Sequence, residues 1–314
     1  MDRQIKLNII IPCYNESAIL QDTADVVLQE LNMLRTTKKI SDFEIIFIDD
    51  GSKDNTWKII ENICAKHCNF RGLKLLNNVG HQKALWAGYE FSVTSCDAVI
   101  SIDADLQQDV SAIKHMIDRY LEGYDVVYGV RNNRQTDGFI KRTTSTSFYK
   151  IMKWLGADII PNHADFRLLS KNACNALLMY NERNIFIRGL VRLLGFKESK
   201  VFFDVKERTK GKSQYTFSKM CNLAADGITS FSTHPLRLIT LLGIISILLS
   251  LIAALYVLLS YFLGKSIPGW SSILLSIWFI GGVQVFAIGI LGEYIGKIYT
   301  EVKHRPNYHI EKTI

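Results

Sequence analysis

The stretch Ala98-Val99-Ile100-Ser101-Ile102-Asp103-Ala104-Asp105-Leu106-Gln107 decides how this sequence folds and where its chemistry lies. A short apolar run bounded by polar turn residues reads as a buried strand, and here two acids stand where the run ends. The same pattern recurs upstream. Residues 7–11 form an apolar run that meets Pro12, and residues 43–48 one that meets Asp49-Asp50-Gly51. Residues 72–76 and 125–129 read as further strands. Between the strands, residues 17–34, 56–66, 81–93 and 110–121 carry helical spacing, with Asp54 placed to cap the second helix. Strand alternating with helix predicts an α/β domain with a mainly parallel sheet and helices on both faces. Such sheets bind ligands beyond the carboxyl ends of their strands. This sequence puts Asn15-Glu16, Asp49-Asp50, Asp103 and Asp105 there.

The chain has 314 residues, 48% hydrophobic and 21% charged, with 37 Lys and Arg against 30 Asp and Glu. That balance excludes a disordered chain, and 5 prolines with 20 glycines exclude a collagenous one. The charge is unevenly spread: residues 238–264 and 266–292 contain none. Each run is long enough to cross a hydrocarbon core of about 30 Å, and the turn at 265–269 makes them an antiparallel pair. Arg237 precedes the first run, and Lys297, Lys303 and Arg305 follow the second, which predicts cytoplasmic ends on both sides. Gly281, Gly282, Gly289 and Gly292 would permit close helix contact and so homo-oligomerisation. The expected organisation is a cytosolic domain at 1–215, a juxtamembrane helix at 216–236, spans at 238–264 and 268–292 within 237–296, and a cytosolic tail at 297–314. The N-terminus has no apolar segment of the secretory kind, so the front domain is expected in the cytosol. The 6 cysteines form no CxxC pair and read as isolated thiols of a reducing compartment; Cys64, His67 and Cys68 lack a second ligand pair for zinc.

Other motifs narrow the chemistry. No GxGxxG follows the first strand, and Lys206 stands where a phosphate loop ending Gly211-Lys212-Ser213 requires glycine. Both absences weigh against a dinucleotide oxidoreductase and a Walker-type site. Asp103 and Asp105, read as an extended strand end, share one face and repel unless a cation lies between them. A hard divalent ion, Mg²⁺ or Mn²⁺, could bridge them to a diphosphate; the alternative is a pair of turn residues capping the next helix. Asp49-Asp50-Gly51-Ser52 is either a tight turn or a pocket for base or ribose. Arg208, Lys210, Lys212 and Ser213 form either a phosphate-binding segment or a solvated basic loop. Residues 139–156 and 185–197 mix basic with apolar residues, as helices lying in an anionic membrane interface do; the alternative is a helix packing its apolar face on the sheet.

Taken in order, Pro12-Cys13-Tyr14-Asn15-Glu16, Asp49-Asp50-Gly51-Ser52-Lys53-Asp54, Asp103-Ala104-Asp105-Leu106-Gln107, Asp165-Phe166-Arg167 and Arg208-Thr209-Lys210-Gly211-Lys212-Ser213 resemble glycosyltransferase family 2. More narrowly, the chain is similar to dolichol-phosphate mannose synthases and bactoprenol glucosyltransferases. The two C-terminal spans resemble the bactoprenol branch. The resemblance implies a GT-A fold, a nucleotide-sugar donor (commonly UDP-glucose) and a polyprenyl (undecaprenyl) phosphate acceptor. It also implies metal-dependent, inverting hexose transfer at the cytoplasmic face of the inner membrane, serving O-antigen or cell-wall glycosylation. By motif, Pro12, Tyr14, Glu16, Asp49 and Asp103 would bind the nucleotide sugar, and Asp103, Asp105 and Gln107 the metal. Arg131, Arg208, Lys212 and Ser213 would face phosphate groups. Asp165 sits where the family often keeps a catalytic carboxylate, giving Asp105, Asp165 and Arg208 as the catalytic set. Gln108-Asp109-Val110 departs from the Asp-Pro-Pro common in relatives. Beyond donor, acceptor and bilayer, a flippase and a transferase using the lipid-linked sugar are expected downstream, and no nucleic acid. Two rivals are a processive polysaccharide synthase, whose usual QxxRW is absent here, and a catalytically silent nucleotide-binding assembly partner, against which Asp103, Asp105 and Arg208 stand.

Overall fold

The computed structural model describes residues 5–132, 163–180, 182–204 and 269–314, with scattered positions between 236 and 256. Its sheet starts from the apolar runs. β1 (Lys6–Cys13), β2 (Asp42–Asp49), β3 (Phe70–Leu75) and β4 (Ala98–Ser101) are all parallel, with β1 between β2 and β4. β1 is buried from Leu7 to Cys13, the near-continuous apolar strand that a sheet covered on both faces demands. α1 (Leu20–Thr36), α2 (Thr56–Lys66), α3 (His81–Ser92) and α4 (Ala112–Leu121) make the crossovers. α3 lies especially close to the sheet: a Cβ on Gly88 would come within 2.9 Å of Ile48 Cδ1 and 3.3 Å of Ile10 Cβ. At the start of α2 the N-cap is Asn55, without a side-chain cap. Asp54 instead accepts from the Thr56 backbone N–H at 3.0 Å and the Ser17 N–H at 3.2 Å, joining the loops after β1 and β2.

The remaining strands make the sheet mixed. β5 (Val126–Arg131) and β7 (Glu198–Phe203) run with β1 to β4, whereas β6 (His163–Ser170) lies antiparallel between β4 and β5. β8 (Ile310–Thr313) pairs antiparallel with β3, and the order is β7-β5-β6-β4-β1-β2-β3-β8. α5 (Lys171–Leu178) follows β6, capped by Ser170 Oγ accepting from Ala173 N–H at 3.1 Å; α6 (Ile187–Leu193) comes next. The carboxyl ends of β1 to β5 and the amino end of β6 therefore share one edge.

By its internal contacts the chain divides into two units: one carries this sheet and includes Arg305–Ile314, the other includes α7 (Trp270–Val302). Within α7, Phe279–Val302 is long and apolar enough to cross a membrane, and Phe279, Val285, Phe286, Ile288, Ile295 and Val302 are all exposed. The segment read as a tail at 297–314 thus consists of the end of α7 and then β8, which is part of the sheet. The juxtamembrane helix at 216–236, the basic stretch at 139–156 and most of the first span lie outside the described residues.

Candidate active site

Antiparallel β6 brings together two motifs far apart in sequence. Ser101 is registered with Arg167, so two residues onward from one and two back from the other place Asp103 and Asp165 at the same edge. Ser101 Oγ fixes the crossing by donating to the Asp165 carbonyl at 2.6 Å while accepting from Tyr89 Oη at 3.0 Å. His81, the first residue of α3, sets Nε2 3.6 Å from Asp103 Oδ1 and 3.5 Å from Asp165 Oδ2. Arg188 of α6 donates to both Asp165 oxygens, from Nε at 3.1 Å and from Nη2 at 2.9 Å. Arg167 donates to the same carboxylate, and Gln82 Nε2 does so at 3.4 Å. The other end of Gln82 accepts from Ile187 N–H at 3.1 Å, tying the start of α3 to the start of α6.

These contacts set the charge states. Burial alone raises the Asp165 pKa, but Arg188, the hydrogen bond from His81 and Arg167 overcome it and hold the carboxyl well below the usual range. For His81, burial works against the cation, yet hydrogen bonding to Asp165 and the negative charge of Asp103 lift its pKa above the ordinary value. Asp103 is raised by burial and by the neighbouring Asp165 and Asp105, with His81 opposing.

β4 ends at Ser101, so Asp103 lies just past the strand and Asp105 in the turn that follows, and not together on the extended strand end expected from the sequence. Leu106 adopts φ 55°, Thr23 Oγ1 donates to the Ala104 carbonyl at 2.7 Å, and Asp105 Oδ1 accepts from Gln107 N–H at 3.2 Å. The turn offers hard oxygen donors only: the carboxylates of Asp103 and Asp105 and the amide of Gln107. Among the described residues no group of three His, Cys, Asp or Glu could hold a metal ion. Mg²⁺ is commonly held by one or two carboxylates, with substrate phosphates and water completing its shell. The residues fit such an ion.

The loops after β1 and β2 form a second part of the same edge. Asp49 is fully buried; its Oδ1 accepts from Ser52 N–H at 3.1 Å, while Oδ2 has no protein partner. Burial raises its pKa against the bonds from Ser52. Asp50 binds the Val79 and Gly80 amides at 2.7 and 3.0 Å. Asn15, at φ 55°, donates its N–H to Ser52 Oγ at 2.9 Å and accepts from Lys53 N–H at 2.8 Å. Glu16 N–H donates to Thr56 Oγ1 at 3.0 Å. Pro12 is buried near the end of β1, Tyr14 is half-buried just beyond it, and Arg131 is exposed at the end of β5. Arg208, Lys212 and Ser213 lie outside the described residues.

α6 decides between the two readings of residues 185–197. Ile187, Gly189, Leu190 and Val191 are buried, and its arginines are paired, Arg188 with Asp165 and Arg192 with Glu198. This is the helix that packs its apolar face on the domain. The sequence assigns no site role to Gln82, to Arg167 of the Asp165-Phe166-Arg167 motif, or to Arg188 of the basic 185–197 stretch. The only local sign was that Gln82 follows His81 at a helix start and Arg167 follows Asp165 in a quoted motif.

The Glycosyl transferase family 2 profile matches residues 8–178 of the 314, and the GtrB C-terminal hairpin profile matches residues 234–298. The chain belongs to glycosyltransferase family 2. This family 2 enzyme is 47% identical over 306 residues to the glycosyltransferase YkoT of Bacillus subtilis, covering 97% of this chain and 91% of that one. It is 37% identical over 311 residues to the SfII prophage-derived bactoprenol glucosyl transferase of Shigella flexneri, covering 98% of each. Among solved structures it is similar to the mannosyltransferase PcManGT of Pyrobaculum calidifontis in complex with GDP-Man and Mn²⁺. That match has a TM-score of 0.44 and 14% identity, and covers 96% of this chain and 87% of that one. The family resemblance, the α/β fold of GT-A type and the assignment as a glycosyltransferase are borne out, and the C-terminal hairpin makes this family 2 enzyme membrane-associated.

Proposed function

We propose that this glycosyltransferase moves a hexose, glucose, from UDP-glucose to polyprenyl (undecaprenyl) phosphate at the cytoplasmic face of the inner membrane, with inversion at the anomeric carbon. One observation carries the choice of acceptor: Asp165, the carboxylate placed to act as a base, is held ionised by Arg188, Arg167 and His81. A carboxylate held so far below its ordinary range is a poor proton acceptor. A sugar hydroxyl needs a base; a phosphate monoester, whose second pKa is about 6, arrives largely ionised and attacks without one. Asp165 therefore orients Arg188 and His81 and does not remove a proton.

Asp103, Asp105 and Gln107 would hold Mg²⁺ or Mn²⁺, which when bound supplies positive charge against a departing diphosphate. The buried, unpartnered Asp49 Oδ2 is an acceptor suited to an N–H or O–H of the nucleotide, beside Pro12, Tyr14 and Glu16. Arg131, Arg208, Lys212 and Ser213 serve the phosphates. The hairpin keeps the enzyme where its lipid acceptor is concentrated, with both ends of the chain cytosolic. The SfII relative, named a bactoprenol glucosyl transferase, supports the lipid acceptor and glucose. The product is a lipid-linked sugar for O-antigen or cell-wall glycosylation, passed to a flippase and a transferase that uses the lipid-linked sugar.

The test is a donor panel: purified full-length protein, Mg²⁺, polyprenyl phosphate and labelled UDP-glucose, UDP-galactose, UDP-N-acetylglucosamine or GDP-mannose. A lipid-linked monosaccharide from UDP-glucose is expected. Polymer would support a processive synthase, and binding without product a silent partner.

A further inference from the structure

We infer that Gln108 is a positioning residue that fixes Asp103 for the divalent cation, an inference that rests on the proposed metal role of Asp103. Gln108 is 1% exposed, and its amide grips the same residue twice. Nε2 donates to Asp103 Oδ2 at 2.5 Å, and Oε1 accepts from the Asp103 backbone N–H at 3.1 Å. The turn makes this reach possible: φ 55° at Leu106 reverses the chain, and the Thr23 hydroxyl pins the Ala104 carbonyl at 2.7 Å. With Oδ2 held by Gln108 and Oδ1 facing His81 at 3.6 Å, the Asp103 carboxylate is set in one orientation.

Only an amide of this length does both tasks. A carboxylate at position 108 can accept the Asp103 N–H, but its second oxygen meets Asp103 with like charge in a buried place. An Asp is in addition one methylene too short. Partners that orient a metal ligand are worth roughly 10–100-fold in metal affinity.

The experiment uses full-length protein in detergent with UDP, and follows Mn²⁺ binding through the electron paramagnetic resonance signal of the free ion. Gln108→Glu and Gln108→Met are each expected to weaken Mn²⁺ binding by roughly tenfold or more, with UDP binding in EDTA unchanged. Gln108→Glu keeps the length and the acceptor, so it carries the test alone should Gln108→Met fail to fold. The exchange D103N/Q108E moves the donor to position 103 and the acceptor to 108. It should regain the native melting midpoint, which shows the paired contacts are formed, and lose Mn²⁺ affinity because the carboxylate itself is gone. The distinction from a purely structural role lies in the single Gln108 variants, whose Mn²⁺ binding falls while UDP binding in EDTA does not. Native Mn²⁺ affinity in the single Gln108 variants, with binding lost in Asp103→Asn, overturns the role of Gln108. Undiminished binding in Asp103→Asn overturns the metal reading beneath it.

Discussion

Replacing Asp165 with Asn tests whether this carboxylate is chiefly an electrostatic anchor. Asp165 is 6% exposed and Arg167 0%; Arg167 donates to Asp165, while its Nε and Nη1 have no partner. The amide leaves a guanidinium buried without its counter-charge. Breaking a buried ion pair from one side costs about 3–5 kcal/mol, and for a domain of this size each kcal/mol moves the melting midpoint by about 2–4 °C, so the expected fall is about 6–20 °C. Melting of full-length protein in detergent, followed by tryptophan fluorescence, measures it. The pH dependence has a definite sign. The folded pKa is depressed, so the stabilisation is present above the unfolded value of about 3.9 and is lost as pH falls through the folded pKa. The gap between native and variant should therefore close in strong acid as Asp165 protonates, be widest near about pH 5 to 6, and narrow as pH rises through the raised His81 pKa, because Asp165 also supports the protonated His81. Removing both charges, in D165N/R167M, should recover much of the loss, because a buried pair replaced by apolar groups is often neutral. A single variant that melts with the native protein would refute the reasoning, and one that instead lost only a proton-transfer step would show Asp165 to be a base.

Other expectations follow from single contacts. Gly51→Ala should cost at least about 1–2 kcal/mol and weaken UDP binding. Gly51 sits at φ 65° in the loop after β2, and an added Cβ would lie 2.6 Å from the backbone of Asn77 and Asn78. Isothermal titration with UDP and a melting curve check both parts. Truncation after Asn307 should expose the β3 edge to proteolysis. Gly72 and Ile314 exchange backbone hydrogen bonds at 3.0 and 2.9 Å, Leu76 N–H donates to His309 at 2.9 Å, and Tyr308 Oη donates to Glu90 at 2.5 Å. Arg188→Lys should depress turnover while keeping charge, because lysine offers one nitrogen in place of the planar fork by which Arg188 holds the two Asp165 oxygens from Nε and Nη2 at 3.1 and 2.9 Å. Steady-state kinetics with donor and acceptor varied in turn would show it.

The sequence was legible where an apolar strand ran into polar residues. β1 to β5 and the helices between them announce themselves that way, and so do Asp49, Asp103 and Asp105. β6 does not. Its run is broken by Arg167, a charge that is tolerated in the core only because Asp165 lies beside it; a local reading has no means of pairing them. β8 is short, charged and exposed along its whole length, and so reads as a tail until its edge pairing with β3 is seen. The basic residues of α6 leave a membrane face and a packed face equally open in the sequence because their acidic partners, Asp165 and Glu198, come from other strands. Gln108 reads as a departure from a motif because its two contacts with Asp103 depend on a turn that only the folded chain forms.

Incorporation of label from UDP-[¹⁴C]glucose into butanol-extractable polyprenyl phosphate, compared between native protein and Asp105→Ala, tests the catalytic account most directly. The native protein is expected to form a β-linked lipid monosaccharide in a Mg²⁺- or Mn²⁺-dependent manner, and the variant none. Equal incorporation by both, or label that appears only in water-soluble polymer, would contradict it.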